Sequence, residues 1–536
     1  MNKFTKNFFV CALAAILAVG MISCNVDPTP PSDGASTDSD THAWFEEDKD
    51  TDSSNDNSET TSSTDETDRY TGIPSVSETT KSPETEKSPE TTKAPDTTST
   101  PETAPETSYE PDIGWKEEDE NGLVYVYSGK GECFVDNNGF SSSLKSITIP
   151  ERSPSGYVVT SIKYMYCFGN AEEIILPKTL KRIEDYAFSM LDSLKTIVVP
   201  DSVEFIGEEA FSSCKALESI TFGSGVREFG INPVLGCWSL KEIILSSGNT
   251  SFVCVGNCII EVATKTLKFG TNGAVIPNDG SVEYIEREAF CAVLFSAQPV
   301  IIPDSVKALG IGAFSHSNLS EVKIGSGVET IGASGFYECE RLIDIIIPPN
   351  VKRIENCAFT KCTSLQTVVL NEGLEVIESS AFADCTKLEN INIPTTVTEL
   401  GSNVFSQCKN LVTIVIPGSI KVVQGSTFYQ CSNLRYVFIL EGVEQIASGA
   451  FNSCPRIEYM VIPKSVKSIG DRNLQSGKLT RIYYGGLPAD KENLGIGYYN
   501  DAAGSAEWYF YGSDKAAGLG YKYWILLDGP SVGIVP

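Results

Sequence analysis

Two histidines occur in 536 residues, His42 and His316. Imidazole is the commonest general base and a common metal ligand, so its scarcity leaves little material for acid–base or metal chemistry. His316 stands in Ser315-His316-Ser317-Asn318. A serine and an aspartate from elsewhere in the fold would be needed to complete a triad around it, and no G-x-S-x-G, H-E-x-x-H or P-loop accompanies it. It reads as a solvated loop residue, and the chain as no enzyme, with no catalytic residue, cofactor or metal.

Sixteen cysteines in an exported chain would ordinarily mean a disulfide framework. Eight of them argue otherwise. Cys214, Cys237, Cys339, Cys362, Cys385, Cys408, Cys431 and Cys454 all lie three residues after a phenylalanine or its replacement. Stacked at one register, their Cβ vectors would run parallel instead of converging, so free, buried thiols are predicted and a convergent metal site is not. Cys254 and Cys258 stand close enough to bridge a hairpin. The pairing of Cys133, Cys167 and Cys291 stays open.

The elements that hold these residues divide the chain into zones. Residues 1–24 have Lys3 and Lys6 ahead of a short apolar run from Phe8 to Val19, which is a signal peptide. No later segment offers about 18 consecutive apolar residues, so no transmembrane helix is expected. The ending Met21-Ile22-Ser23-Cys24 resembles a bacterial lipobox, although Met21 replaces the usual Leu. The resemblance implies a lipid on Cys24, and two or three acyl chains at about 0.8 kcal/mol per buried methylene hold a protein to a membrane without a helix.

Residues 25–112 contain 33 Ser and Thr, 10 Pro, 23 Asp and Glu, and 5 Lys and Arg. Such a segment cannot offset its chain entropy by burial, which makes it a disordered acidic linker. Pro-Glu-Thr recurs at Pro83, Pro89, Pro101 and Pro105, and His42 falls inside this stretch. Fully extended, the linker would reach about 300 Å. The formal net charge of -29 repels phosphate backbones and excludes nucleic acid as a partner.

Phenylalanine sets the period of residues 113–484. Phe188 and Phe211 are 23 apart, as are successive members of Phe336, Phe359, Phe382, Phe405, Phe428 and Phe451; Val234 and Leu474 keep the phase, and Phe290 and Phe314 join it with slight irregularity. The unit reads L-x-x-I-x-I-P-x-x-V-x-x-I-x-x-x-A-F-x-x-C, as in Leu388, Ile391, Ile393, Pro394, Val397, Leu400, Phe405 and Cys408. Each repeat is one coil of a β-rich repeat solenoid with a parallel sheet on one face, about 13 coils in all, interrupted by an insert at about 246–277. Proline ends the strand because it cannot donate to the ladder.

The recurrence of I-x-I-P, V-x-x-I and A-F-x-x-C resembles the BspA-like leucine-rich repeat family of bacterial surface proteins. The resemblance implies a lipid-anchored, cell-surface adhesion module whose partners are protein or glycan ligands on host or neighbouring cells, with the membrane reached through the anchor alone. It carries no catalytic residues to transfer.

In the strand, Leu and the residues at +3 and +5 face the core, so those at +2 and +4 face outward. The +4 column reads Val198, Thr221, Ile244, Lys323, Ile346, Val369, Asn392, Val415, Phe438, Val461 and Tyr483; the +2 column includes Asp344, Thr367, Asn390, Thr413, Tyr436, Tyr459 and Arg481. Aromatics concentrate in the last coils, which predicts a ligand-binding patch at Tyr436, Phe438, Tyr459, Val461, Arg481 and Tyr483. Residues 485–536 carry Tyr498, Tyr499, Trp508, Tyr509, Phe510, Tyr511, Tyr521, Tyr523 and Trp524. They form an aromatic-rich C-terminal cap or, alternatively, stacking platforms of a carbohydrate-binding lipoprotein; a purely structural envelope protein is the third reading.

Overall fold

A computed structural model describes residues 111–137, 143–165, 169–295 and 299–511, together with the backbone of the strands at 522–526 and 532–535. Cys24, the signal segment, His42, Cys167, Tyr521 and the linker up to residue 110 lie outside the described residues.

Coils of roughly 23 residues stack into a parallel β-solenoid of about 16 turns. Two strands recur per coil. The longer comes from I-x-I: Thr413–Ile416, Tyr436–Ile439, Tyr459–Ile462 and Arg481–Tyr484 pair in parallel, with Thr413 opposite Tyr436 and Tyr436 opposite Tyr459. The shorter comes from the V-x-x-I segment, where Thr330–Ile331, Arg353–Ile354, Val376–Ile377 and Glu399–Leu400 form another parallel ladder. A register step of one coil keeps like residues in contact, so a sequence repeat becomes a spatial column.

The third side of each coil is the Ala-Phe turn. Phe336, Phe359 and Phe382 are fully buried, and their rings stack with centroids 5.2 Å apart and planes within 6° of parallel. That separation exceeds the strand spacing of about 4.8 Å, so neighbouring rings are slightly offset, the arrangement aromatic quadrupoles favour. The small residue before each of these three, Gly335, Ala358 and Ala381, lets the coils approach.

These turns have their own hydrogen-bond ladder. The N–H groups of Ser334, Phe336 and Glu338 donate to the carbonyls of Asn356, Ala358 and Thr360 in the next coil at 2.8–2.9 Å. The same triplet recurs at Cys357, Phe359 and Lys361, and at Ser380, Phe382 and Asp384. To aim these groups along the stack, the residues two before and two after Phe adopt left-handed backbone, with φ of 55–59° at Ser334, Glu338, Cys357, Lys361, Ser380 and Asp384. That conformation disfavours a side chain by roughly 1–2 kcal/mol, which the coil-to-coil bonds offset.

Adjacent coils also recognise one another at the turn after the long strand. Pro200-Asp201-Ser202-Val203 is followed one coil on by Gly223-Ser224-Gly225-Val226, and Ser224 donates its N–H to Asp201 Oδ1 at 2.7 Å. A Cβ on Gly225 would lie 2.1 Å from the Asp201 carbonyl oxygen, so only glycine fits. The pair recurs with Ser326 on Asp304 at 2.6 Å and Gly327 against the Asp304 carbonyl.

The insert is a three-stranded meander, Phe252–Val255, Cys258–Glu261 and Thr266–Gly270, whose last strand rejoins the short-strand ladder through Tyr284–Ile285. It partitions the core. Phe252, Ile259 and Phe269 pack with the N-terminal coils, whereas Cys258, Ile260 and Leu267 pack with the C-terminal coils. Cys254 lies opposite Ile259, one residue from Cys258, so the two cysteines point to opposite faces and both are free, which decides a pairing that the sequence leaves open.

The C-terminal stretch continues the long-strand sheet. Glu507–Tyr511 continues the long-strand ladder in parallel from Arg481–Tyr484, Lys522–Leu526 adds a further parallel strand, and antiparallel Val532–Val535 follows. The two parallel strands lengthen the stack beyond the 13 coils that the phenylalanine spacing counts.

Candidate ligand-binding faces and the thiol column

The eight phased thiols are free and buried, as their spacing predicts. Each points along the stack: the Sγ atoms of Cys362, Cys385 and Cys408 lie 3.2 Å from the carbonyl oxygens of Phe336, Phe359 and Phe382 in the preceding coil. The Phe336 carbonyl also accepts the backbone N–H of Cys339, so the thiol fills its second lone pair. Burial pushes the Cys339 thiol up to about 12. Ser317 continues the column, its Oγ 3.5 Å from Cys339 Sγ. Among the described residues no group of three or more His, Cys, Asp or Glu is arranged to hold a metal.

His316 is half-exposed, with Nδ1 3.0 Å from Glu338 Oε2, while Lys361 Nζ lies 2.6 Å from Glu338 Oε1. Lys361 first, with smaller help from Tyr337 and His316, holds the Glu338 carboxyl below its usual range against some burial. The imidazole therefore has a carboxylate neighbour on a surface ridge, edge-on to Tyr337.

The long-strand ladder presents one face to the core and one outward, because side chains alternate along a strand. In Tyr436–Ile439, Val437 and Ile439 belong to the main core, while Tyr436 and Phe438 contact a different cluster. The outward direction of the +2 and +4 columns is as expected; their exposure is not uniform. In the N-terminal and middle coils the outward row is open: Ile175 is 49 % exposed, Val198 63 %, Ile244 42 %, Ile301 54 %, Ile346 63 % and Val369 41 %. A recess of about 640 Å³ lies between the first of these strands, lined by Glu173, Ile175, Lys178, Thr196, Val198 and Asp201.

In the last coils the row closes. Phe438, Val461, Tyr483 and Tyr509 are buried in a small cluster outside the main core, with Val415, Tyr436 and Tyr459 partly buried against it. Tyr436 and Tyr459 lie 4.8 Å apart, and Tyr459 meets Phe438 and Tyr483 edge-on at 5.9 and 5.6 Å. Aromatic rings reach diagonal neighbours across strands, where aliphatic branches do not. Of the six residues expected to form a patch, only Arg481 is exposed; Tyr436 and Tyr459 are half-buried, and Phe438, Val461 and Tyr483 are closed off.

The C-terminal aromatics separate in the same way. Tyr509 and Phe510 are buried, and Trp508 is half-buried with Nε1 donating to the Ala503 carbonyl at 2.9 Å and Lys491 Nζ 4.3 Å above its ring. Tyr498, Tyr499 and Tyr511 stay exposed. Beneath Tyr498 and Tyr499 sits a feature the repeat consensus conceals. Asn473 replaces the alanine of the Ala-Phe step and its Oδ1 accepts the Phe451 N–H; buried Asn500 then accepts the N–H groups of Asn473 and Leu474, both at 2.8 Å. Its Nδ2 donates to the carbonyls of Gly470 and Gly497. An asparagine in the alanine position was the available signal.

A family profile described as the BspA type leucine rich repeat region, in six copies, matches residues 158–262, 283–411 and 353–480, more than half of the chain. A leucine rich cell surface protein of Faecalibacterium prausnitzii is 22 % identical over 72 % of this chain and 98 % of its own, with a TM-score of 0.40. A leucine-rich repeat protein of Bacteroides ovatus is 22 % identical over 76 % of this chain and 100 % of its own, with a TM-score of 0.44. The pneumococcal vaccine antigen PcpA is 18 % identical over 72 % and 98 %, with a TM-score of 0.40. A search among curated proteins finds no match.

Proposed function

Since the chain belongs to the BspA-type leucine-rich repeat family, we propose that it is a surface-tethered binding and adhesion module. It offers its solenoid to protein or glycan ligands on host or neighbouring cells, and it performs no reaction. The observation that carries this reading is the set of exposed aliphatic side chains Ile175, Val198, Ile244, Ile301, Ile346 and Val369 on the outward face, broken by Thr221 and Lys323, since a solvated protein ordinarily covers apolar groups gathered on one face. The set lies in coils N-terminal to the Tyr436–Tyr483 cluster, so contact is assigned to the N-terminal and middle long strands. Lipidation of Cys24 would fix the chain to the envelope, and the linker would carry the solenoid away from it.

The test is adherence of the purified chain to extracellular-matrix proteins and to co-resident bacteria, compared with a Val198→Asp/Ile346→Asp variant of unchanged melting. Loss of adherence in the variant supports the reading. Equal adherence, or none by the unaltered chain, overturns it. Cys24→Ala should release the chain from membranes, and a mature protein with an unmodified N-terminus elsewhere would remove the anchor.

A further inference from the structure

Tyr498 and Tyr499 are 80 % and 60 % exposed, side by side on the turn ridge of the C-terminal coil. Their place in the stack is set by the coil before. Gly497 donates to the Ile469 carbonyl as Gly470 does to that of Ile446, so Tyr498 and Tyr499 follow Asp471 and Arg472 in register. Along this ridge the position of Tyr499 is taken by Ser334, Cys357, Ser380, Asn403, Ser426, Gly449 and Arg472. Two adjacent large aromatic rings therefore stand where the coils from Ser334 onward carry smaller or polar groups, and Tyr186 holds the position of Tyr499 alone in an early coil.

Their backbone is held rigidly. The Tyr498 N–H donates to Asp471 Oδ1 at 2.7 Å, the Tyr498 carbonyl accepts the Arg472 N–H at 3.1 Å, and Asn500 pins the next residue with four hydrogen bonds. Tyr499 keeps a left-handed φ of 58°, and the Arg472 guanidinium lies 5.2 Å from its ring centroid. Exposed rings on a fixed backbone lose little entropy when a ligand stacks on them. The flanking carboxylate and guanidinium supply an acceptor and donors beside an apolar surface.

We propose that Tyr498, Tyr499, Asp471 and Arg472 form a carbohydrate-binding site for a pyranoside chain with equatorial hydroxyls. Such a sugar has an apolar C–H face for the tyrosine rings and a rim of hydroxyls for Asp471 and Arg472. The site is separate from the aliphatic row and independent of the adhesion reading.

The experiment is isothermal titration of the full chain with cellotetraose, xylotetraose and N-acetylchitotetraose. At least one should bind. Tyr498→Ala and Tyr499→Ala should each weaken it about tenfold, the size of one lost aromatic contact, Tyr499→Phe should preserve it, and Tyr511→Ala should leave it unchanged with the same melting curve. Failure of all three sugars to bind the unaltered chain, undiminished binding by the Tyr498→Ala/Tyr499→Ala variant, or loss on Tyr511→Ala would overturn the site.

Discussion

The outward face of the long-strand ladder is one column treated in two ways. From Ile175 to Val369 it carries mostly aliphatic side chains that remain open, with Thr221 and Lys323 among them, and from Phe438 to Tyr509 it carries three aromatics that close on one another around Val461. Backbone register and side-chain direction are the same in both regions. What differs is reach: coils about 4.8 Å apart leave β-branched side chains side by side in water, whereas rings bridge the interval and the diagonal. Aromatic enrichment in a solenoid strand is therefore an argument for local closure before it is one for binding.

The inner face is shared by the two regions and sets the scale against which they are judged. Phe382→Ala should remove about 3–5 kcal/mol, the usual range for a buried phenylalanine, and Phe211→Ala as much. Unequal losses, read by chemical denaturation, would show that the regions differ inside as well as outside. Tyr483→Ala should cost about 1.5–3 kcal/mol through the aromatic cluster alone. A loss near zero would mean that this cluster is a surface feature and that the contrast is false.

Alkaline pH acts on both regions unequally, because burial raises five phased thiols of the C-terminal coils, Cys339, Cys362, Cys385, Cys408 and Cys431, against Cys237 of the N-terminal coils. Burial raises the Cys339 thiol from 9.0 to about 12 in the folded chain. Protonated thiols are thus favoured by folding: the stability is fully present below pH 9 and is lost as pH rises from 9 toward 12. The loss is at most about 1.4 kcal/mol per thiol by pH 10. Hydrogen exchange should show the C-terminal coils opening first as pH is raised, and simultaneous opening would contradict it. The smallest effect belongs to the open row, where Ile346→Ser should change stability by no more than about 0.5 kcal/mol; a larger loss would mean that the row is supporting the fold.

The 23-residue phase alone made the coil, the buried Phe stack and the free thiol column legible, since each depends on the spacing of a single residue type. Outward direction at +2 and +4 was legible too, from strand alternation. Exposure was not, because it depends on whether neighbouring coils hold side chains long enough to touch. Whether Cys254 and Cys258 pair was not legible for a related reason: closeness in sequence says nothing about the opposite faces that antiparallel register imposes. Asn473 and Asn500 went unseen because the phase treats Leu474 as another Phe, and the asparagine beside it has meaning only once the turn carbonyls are placed.

The turn ladder also makes the solenoid an electrically directed object. In most coils three peptide groups present N–H toward the following coil and C=O toward the preceding one, so their dipoles of about 3.5 D add along the stack, as they do along a helix. Strand pairs alternate and largely cancel. Growth of the stack is then polar, like that of a filament: any coil exposes donors at one end and acceptors at the other, and calls for another of the same phase. A chain built this way carries no internal measure of its own length. Asn500 interrupts the Ala-Phe ladder, supplying from a side chain the acceptor that another Ala-Phe turn would have provided, while the long strands run on through Glu507–Tyr511 and Lys522–Leu526.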